Sequence, residues 1–215
     1  VVNNKKKSID LPENETAQGP NFTFDYVITV DVADGETVTD VEVTDLLPDN
    51  LHFLTATSDV PLSAVDAPGV DGRAAGIPGL DTGSTATFEF ATLVGAQGAD
   101  AVIRLTAYAP ETDAGGADLI DTTAPTSTTA LNEASVTADY NGVPLGGAAA
   151  GLLEDDALVA IRPFAVQKSA AVDGGGPAVP GARVRYTVNI DVSDYQSIDD
   201  LALTDILPDG MTLVT

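Results

Sequence analysis

The sequence predicts an all-β fold made of tandem immunoglobulin-like β-sandwich repeats with Greek-key connections. Three observations support this class: an internal repeat, short segments in which apolar and polar residues alternate, and turn residues between those segments. Alternation with a period of two is typical of half-buried strands, because successive side chains point to opposite faces of a sheet. Many short strands separated by Gly, Pro, Asp and Thr favour a sandwich of two sheets.

The internal repeat appears when the sequence is compared with itself. A shift of 160 residues aligns residues 26–51 with residues 186–211 and gives 10 identities in 26 positions. We therefore expect a complete domain at residues 1–162 and the N-terminal part of a second, incomplete repeat at residues 163–215. Pro163 marks the expected junction, because proline disfavours strand pairing. The short connection predicts a semi-rigid rod of domains.

The alternation also places the strands of the first repeat. Apolar residues recur at every second position in these segments, in chain order: 22–32, 41–43, 86–90, 101–107, 134–140 and 156–161. Pro48-Asp49-Asn50 predicts a turn after the second segment, and Asn141-Gly142 predicts a hairpin after the fifth. Residues 61–84 and 110–129 are expected to be surface loops, and residues 148–153 could form one helical turn.

Composition excludes several functions. The chain has 33 acidic and 9 basic residues, a formal net charge of -24, no cysteine and one histidine. Nucleic acid is a poor partner for so acidic a surface, and we expect none. His52, which we expect to face solvent, cannot build a histidine metal site or a nucleophilic catalytic group alone. We expect no enzymatic activity, no required cofactor and no membrane span in this fragment.

Acidic residues recur at matching positions of the two copies. They are Asp31, Asp34 and Asp40 in the first copy and Asp191, Asp194 and Asp200 in the second. Carboxylates at a bend can bind calcium, but Asp is also a common turn residue. Calcium binding and turn geometry both stay open, as does an interdomain calcium site at residues 154–156.

Two segments carry a family resemblance. Residues 43–51 read VTDLLPDNL and residues 203–211 read LTDILPDGM. They resemble the Thr-Asp-x-Leu-Pro-Asp-Gly signature of the conserved repeat domain of bacterial and archaeal surface antigens, and residues 132–136 look like that family's later Asn-x-Ala-x-Val strand. The resemblance implies an extracellular, cell-surface location and a structural or adhesive role. It implies neighbouring repeats or subunits, or a cell-surface or host ligand, as partners.

This family is similar to pilin and adhesin domains in which Lys and Asn side chains join in an isopeptide bond, assisted by a buried acid. Carried over residue by residue, the resemblance implies that Lys7, Asp45 and Asn132 perform this role, with Lys168 and Asp205 in the second repeat. Each of the five lies an even number of positions from apolar residues of its strand. It therefore shares their parity and should face a core. A buried Lys-Asp salt bridge with Asn as a neutral partner satisfies the same parity, so both interpretations stay open. Lys5 shares the parity of Lys7 and is an alternative to it.

Two other functions are compatible with the sequence. One is a calcium- or carbohydrate-binding accessory module of a secreted protein. The other is a fibre subunit whose incomplete second domain is completed by strands of a neighbouring subunit. Further repeats of 160 residues in the full-length protein would favour a rod, whereas an adjacent catalytic domain would favour an accessory module.

Overall fold

A computed structural model shows an all-β chain. It describes residues 2–11, 13–67, 85–121, 127–146 and 153–214, and within these residues it contains no helix. The helical turn expected at residues 148–153 lies outside the described residues except for Leu153, which begins a strand. The described strands are β1 (Val2–Ile9), β2 (Glu15–Ala17), β3 (Phe24–Val32), β4 (Thr37–Leu46), β5 (His52–Ser58), β6 (Ala64–Asp66), β7 (Thr85–Val94), β8 (Ala101–Tyr108), β9 (Thr128–Tyr140), β10 (Val143–Leu145), β11 (Leu153–Arg162), β12 (Phe164–Val172) and β13 (Val184–Val192).

Most of these strands form two sheets. The four-stranded sheet has the order β1-β3-β8-β5, and the seven-stranded sheet has the order β2-β11-β9-β4-β7-β6 with β10 paired to β9. All pairs are antiparallel except β2 with β11, which is parallel. The strands β3 and β4 follow each other in sequence but lie in different sheets, and so do β7 and β8.

The inner faces of both sheets share one hydrophobic core. On β3 every second side chain is buried, from Phe24 to Val32, as the alternation predicts. Tyr26 and Ile28 of β3 belong to the same buried cluster as Phe88 and Phe90 of β7 in the other sheet. The two sheets therefore pack face to face, and burying large aromatic side chains supplies much of the driving force for that packing.

Turn residues join the strands as the sequence indicates. Asn141 and Gly142 have φ values of 52° and 76°, and they connect β9 to β10. Such positive values are tolerated by Asn and Gly and suit a tight hairpin.

Strand β1 lies outside the alternating segments and was indicated only by the shared parity of Lys7 and Ile9. Four other strands of residues 1–162 were not predicted from the sequence: β2, β5, β6 and β10. Three of them are three residues long, which is too short for a periodic pattern. The fourth, β5, has a register shift between Phe53 and Thr55, which interrupts the alternation. Because β6 lies at residues 64–66 and pairs with β7, the expected loop at residues 61–84 was partly wrong; residues 68–84 lie outside the described residues. The loop expected at 110–129 ends earlier, since β9 begins at Thr128.

The last two strands form a separate hairpin. Strands β12 and β13 pair only with each other among the described strands, and residues 193–214 contain no strand. Several apolar side chains are consequently exposed in this segment: Leu201, Leu203, Ile206, Met211, Leu213 and Val214.

Candidate functional site, a buried Lys-Asp-Asn cluster

Three polar side chains lie inside the core between the two sheets. Lys7 comes from β1 of the four-stranded sheet, whereas Asp45 and Asn132 come from the paired strands β4 and β9 of the other sheet. Asp45 is opposite Ala134, and Asn132 lies two residues before Ala134 on β9, on the same face of the sheet. The exposed fractions of Lys7, Asp45 and Asn132 are 4%, 0% and 0%.

Asp45 is the central residue of this cluster. Its Oδ2 accepts a hydrogen bond from the Lys7 ammonium, in a salt bridge with no exposed side-chain surface. Its Oδ1 is buried and makes no hydrogen bond among the described residues, and neither Nδ2 nor Oδ1 of Asn132 makes one. Asn132 is close enough to favour the charged form of Asp45, although the geometry falls short of a hydrogen bond. Three unpaired polar atoms in one core require an explanation, because each costs about 1–3 kcal/mol when left unsatisfied.

Burial shifts both ionisable groups toward their neutral forms. Desolvation lowers the pKa of Lys7, and this effect outweighs the opposing attraction of Asp45. Desolvation likewise raises the pKa of Asp45, more than Lys7 and Asn132 lower it. A neutral amine is a nucleophile and a neutral carboxylic acid is a hydrogen-bond donor, so the cluster contains groups suited to attack on an amide.

Tyr26 forms one wall of the cluster. The Lys7 Nζ lies 5.3 Å from the centroid of the Tyr26 ring, and the Tyr26 hydroxyl donates a 3.3 Å hydrogen bond to the Ala130 carbonyl oxygen. Burial, with a further contribution from Asp45, raises the pKa of Tyr26. Tyr26 was not assigned to this cluster from the sequence. The repeat did supply a signal, because Tyr186 stands at the matching position of the second copy.

Asp155 holds the backbone of β1 beside β11. Its Oδ2 accepts a 2.8 Å hydrogen bond from the Lys7 backbone N–H. This contact satisfies an N–H on the outer edge of β1 and fixes the strand from which the Lys7 side chain enters the core. No sequence pattern indicated this contact, because it joins two strands, β1 and β11, through residues 148 positions apart.

The corresponding pair in the second copy is much more exposed. Lys168 Nζ lies 2.5 Å from Asp205 Oδ1 and 4.8 Å from the centroid of the Tyr186 ring, with side chains 38% and 35% exposed for Lys168 and Asp205. The expectation that both face a core is therefore wrong for the described residues. The physical reason is that β12 and β13 have no second sheet packed over them there.

The repeated turn acids do not form a cluster. Among the described residues, no group of three acidic or histidine side chains is positioned to hold a metal ion. Asp40 and Asp200 both have positive φ values, 49° and 56°, a conformation that Asp adopts more readily than most residues. Asp31 lies near the end of β3 and Asp191 near the end of β13. Asp34 and Asp194 are both exposed, and Asp194 also contacts Asn21. Calcium binding at these positions stays a prediction.

His52 does not simply face solvent, which corrects the expectation. Its ring stacks on Tyr108 with centroids 4.5 Å apart, and its Nδ1 lies 2.7 Å from the Tyr108 hydroxyl. Partial burial lowers the pKa of His52. No sequence pattern indicates this pairing, because the two residues meet only when β5 pairs with β8.

A hollow of about 360 Å³ lies beside β11 on the seven-stranded sheet. Its described lining includes Thr44, Glu133, Ser135, Glu154 and Asp156 and contains no aromatic ring. An aromatic face on which a sugar could stack is therefore missing from the described lining.

Comparison with known proteins gives only remote similarities. No family model matches the chain, and no curated protein matches it. Among solved structures it is similar to the major pilin subunit BcpA of Bacillus cereus, with 13% identity over 88% of this chain and 56% of that chain and a TM-score of 0.44. It is also similar to a C-terminal fragment of the major pilin of Streptococcus agalactiae, with 12% identity over 79% of this chain and 58% of that chain and a TM-score of 0.45.

A third similar structure is a cohesin module of a glycoside hydrolase from Clostridium perfringens. Its identity is 12%, over 74% of this chain and 96% of that module, with a TM-score of 0.43. The chain spans little more than half the length of the two pilin chains. Similarity at this level assigns neither a family nor a function. The described residues include no helix that is long and apolar enough to cross a membrane.

Proposed function

We propose that the chain is a structural or adhesive segment of an extracellular surface protein or fibre, built from tandem immunoglobulin-like Greek-key repeats. In this proposal residues 1–162 are one repeat and residues 163–215 begin the next. The first repeat is stabilised by an isopeptide bond between Lys7 and Asn132. The observation that carries the proposal is the fully buried cluster of Lys7, Asp45 and Asn132 with its unpaired atoms.

The arrangement favours bond formation over a permanent salt bridge. A buried ion pair is costly unless further hydrogen bonds satisfy its remaining atoms, and here Asp45 Oδ1 has none among the described residues. The burial that makes the ion pair costly is also what moves Lys7 and Asp45 toward the neutral forms needed for reaction.

The reaction needs no external reagent. The neutral Lys7 amine attacks Cγ of Asn132, while protonated Asp45 donates a hydrogen bond to the side-chain carbonyl oxygen and stabilises its developing negative charge. The Nζ–Cγ bond forms and the Cγ–Nδ2 bond breaks. A proton of the Lys7 amine passes through Asp45 to the departing nitrogen, which leaves as ammonia. Asp45 ends in its original protonation state, and the cluster reacts once.

The backbone around each lysine supports the repeat organisation. Lys7 is paired with Ile28 and Lys168 with Val188, so each lysine faces the residue two positions after the matching tyrosine, Tyr26 or Tyr186. The positive φ values at Asp40 and Asp200 also occupy matching positions, 160 residues apart. The same local structure is thus specified in both segments.

An internal crosslink suits a chain outside the cell. The sequence has no cysteine, so no disulfide can staple its domains. A Lys-Asn bond would supply a covalent staple that reducing agents do not cleave. The net charge of -24 favours a well-solvated surface.

Intact mass measurement tests the proposal. The purified chain should weigh less than its sequence mass by one molecule of ammonia, and peptide mapping should find the segments around Lys7 and Asn132 joined. Lys7→Met should restore the full mass, whereas the matched control Lys168→Met should keep the deficit. A full sequence mass in the correctly folded parent chain would overturn the crosslink.

A second candidate function rests on the exposed apolar side chains after β13. Leu203 is 57% exposed and Ile206 is 84% exposed, which is unusual for large apolar residues in one short segment. In a fibre subunit, strands of a second copy would cover them. Light scattering would then show assemblies that a Leu203→Lys and Ile206→Lys double variant abolishes. A strictly monomeric chain at high concentration would contradict this candidate.

A further inference from the structure

A buried glutamine links the two segments on either side of Pro163. Gln18 is 1% exposed, and its Nε2 donates a 3.0 Å hydrogen bond to the Pro110 carbonyl oxygen. Its backbone carbonyl accepts a 2.9 Å hydrogen bond from the Asp194 N–H. Its Oε1 lies 3.4 Å from Gln196 Nε2, which donates to it. One residue of the first segment therefore has polar partners in both segments.

The Asp194 side chain fits against the backbone at residues 19–21. Its Oδ2 accepts a 3.0 Å hydrogen bond from the Asn21 N–H, and its Oδ1 accepts a 2.8 Å hydrogen bond from Asn21 Nδ2. Gly19 lies directly below the carboxylate with a φ of +125°, and a Cβ at this position would overlap the Asp194 carboxylate. The close approach therefore requires glycine.

Neighbouring groups extend the contact on both sides. Ser193 is buried, and its N–H donates a 2.9 Å hydrogen bond to the Pro163 carbonyl oxygen. The Tyr195 N–H donates a 3.1 Å hydrogen bond to the Ser193 Oγ, which holds the turn that carries Asp194.

At the start of β12, a single side chain of the first segment binds on both sides of the junction. Glu15 pairs with Arg162 at 2.5 Å, and its Oε1 accepts a 3.0 Å hydrogen bond from the Val166 N–H.

We propose that residues 193–196 dock on residues 18–21 as a specific intramolecular interface. It fixes the orientation of the β12–β13 hairpin relative to the two-sheet body formed by β1–β11. The partner that this surface fits is an Asp-containing turn that offers a backbone N–H to the Gln18 carbonyl and a carboxylate to Asn21. The interface does not depend on the Lys7-Asn132 bond, so the failure of one proposal leaves the other intact.

The first copy supplies a matched control. Asp34 stands 160 residues before Asp194, in an equivalent exposed turn: Glu36 N–H donates to the Ala33 carbonyl, as Gln196 N–H donates to the Ser193 carbonyl. Among the described residues, no hydrogen bond joins the Asp34 carboxylate to another segment, whereas the Asp194 carboxylate binds Asn21. Removing the Asp34 carboxylate should leave the junction unchanged.

Distance measurement between two spin labels tests the interface. Because the chain has no cysteine, the exposed positions Thr92 and Thr187 can be labelled uniquely after Thr92→Cys and Thr187→Cys substitution. The parent chain should give one narrow distance distribution. Asp194→Ala should broaden it at least twofold, and Gly19→Ala, which acts from the opposite surface, should do the same. Asp34→Ala should keep the narrow distribution.

Hydrogen exchange of the β12–β13 amides completes the test. Retained protection in Asp194→Ala together with a broad distribution means that an intact hairpin has been released, as proposed. Lost protection of the hairpin amides in Asp194→Ala also supports the interface. The carboxylate hydrogen bonds described for Asp194 go only to Asn21, so removing the carboxylate weakens the hairpin through its contact with residues 18–21. A broad distribution in the parent chain, or a narrow one in Asp194→Ala with unchanged protection, would overturn the proposal.

Discussion

The Lys7 ammonium meets the Asp45 carboxylate with no side-chain surface of either residue exposed to solvent. Strands from different sheets supply the two groups, so the contact exists only when the sheets are packed together. Removing one partner of such a pair typically costs about 3–5 kcal/mol, because the other charge stays buried and unpaired. Conversion of the pair to neutral groups, or of the amine to an amide, removes that cost.

Asp45→Asn should block crosslinking while preserving the shape of the core. The amide cannot act as the acid, so the mass deficit of one ammonia should disappear. Loss of a bond that closes residues 8–131 into a loop should lower the free energy of unfolding by roughly 4–5 kcal/mol, by the loop-closure argument used for disulfides. Lys7, left buried without its acidic partner, should add to this loss. Urea denaturation measures this loss, and Asp205→Asn is the matched control in the exposed pair. A variant that retains the mass deficit would show that Asp45 is dispensable.

The pH dependence of stability should reveal the buried acid once Lys7 is removed. In Lys7→Met, burial still raises the pKa of Asp45, and the neighbouring cation that lowers it is gone. A carboxyl whose folded pKa is raised stabilises the fold below its unfolded pKa, about 4, and that stability is lost as the pH rises through the folded pKa.

The free energy of unfolding of Lys7→Met should therefore fall above about pH 4, relative to the Lys7→Met and Asp45→Asn double variant. Each unit of upward shift corresponds to about 1.4 kcal/mol. The other acidic residues are shared by both variants, so their titration cancels in the difference. Parallel pH profiles for the two variants would mean that Asp45 titrates normally in the fold.

Tyr26 should position the Lys7 amine through its ring more than through its hydroxyl. Tyr26→Phe keeps the ring and loses the 3.3 Å hydrogen bond to Ala130, so we expect a cost of about 1 kcal/mol and normal crosslinking. Tyr26→Leu removes the ring face 5.3 Å from Nζ and should slow crosslinking during refolding, as followed by mass. Equal crosslinking rates in the Leu and Phe variants would assign Tyr26 to core packing alone.

A calcium titration distinguishes ligand binding from turn geometry at the repeated acids. If these residues bind calcium, the melting temperature should rise with the ion and fall on chelation, and Asp34→Ala should reduce the effect. An unchanged melting temperature would assign the acids to turn geometry. The positive φ values shared by Asp40 and Asp200 favour that second outcome.

Sequence reasoning worked where one strand determines its own pattern. The alternation from Phe24 to Val32 gave the buried face of β3, and parity alone oriented Lys7, Asp45 and Asn132 toward the interior. It failed where burial depends on distant strands. Lys168 has the same local pattern as Lys7 but stays 38% exposed, because parity defines a face and does not supply the sheet that covers it.

Side-chain partners across long sequence separations were equally inaccessible. Gln18 was assigned no role from the sequence, and its hydrogen-bond partners lie at residues 110, 194 and 196. His52 likewise finds Tyr108 only through the pairing of β5 with β8. Polar residues of this kind carry no periodic signal, since their partners are set by tertiary packing.

The proposed bond also reports on folding. It joins Lys7 of β1 to Asn132 of β9, two strands that are far apart in sequence. The reactive groups come together only after β1, β4 and β9 have all reached their places. Because the leaving ammonia diffuses away, the step does not reverse when the chain later unfolds. Each crosslinked molecule would thus retain a permanent record that it once folded correctly, and the crosslinked fraction of a preparation would count its successful folding events.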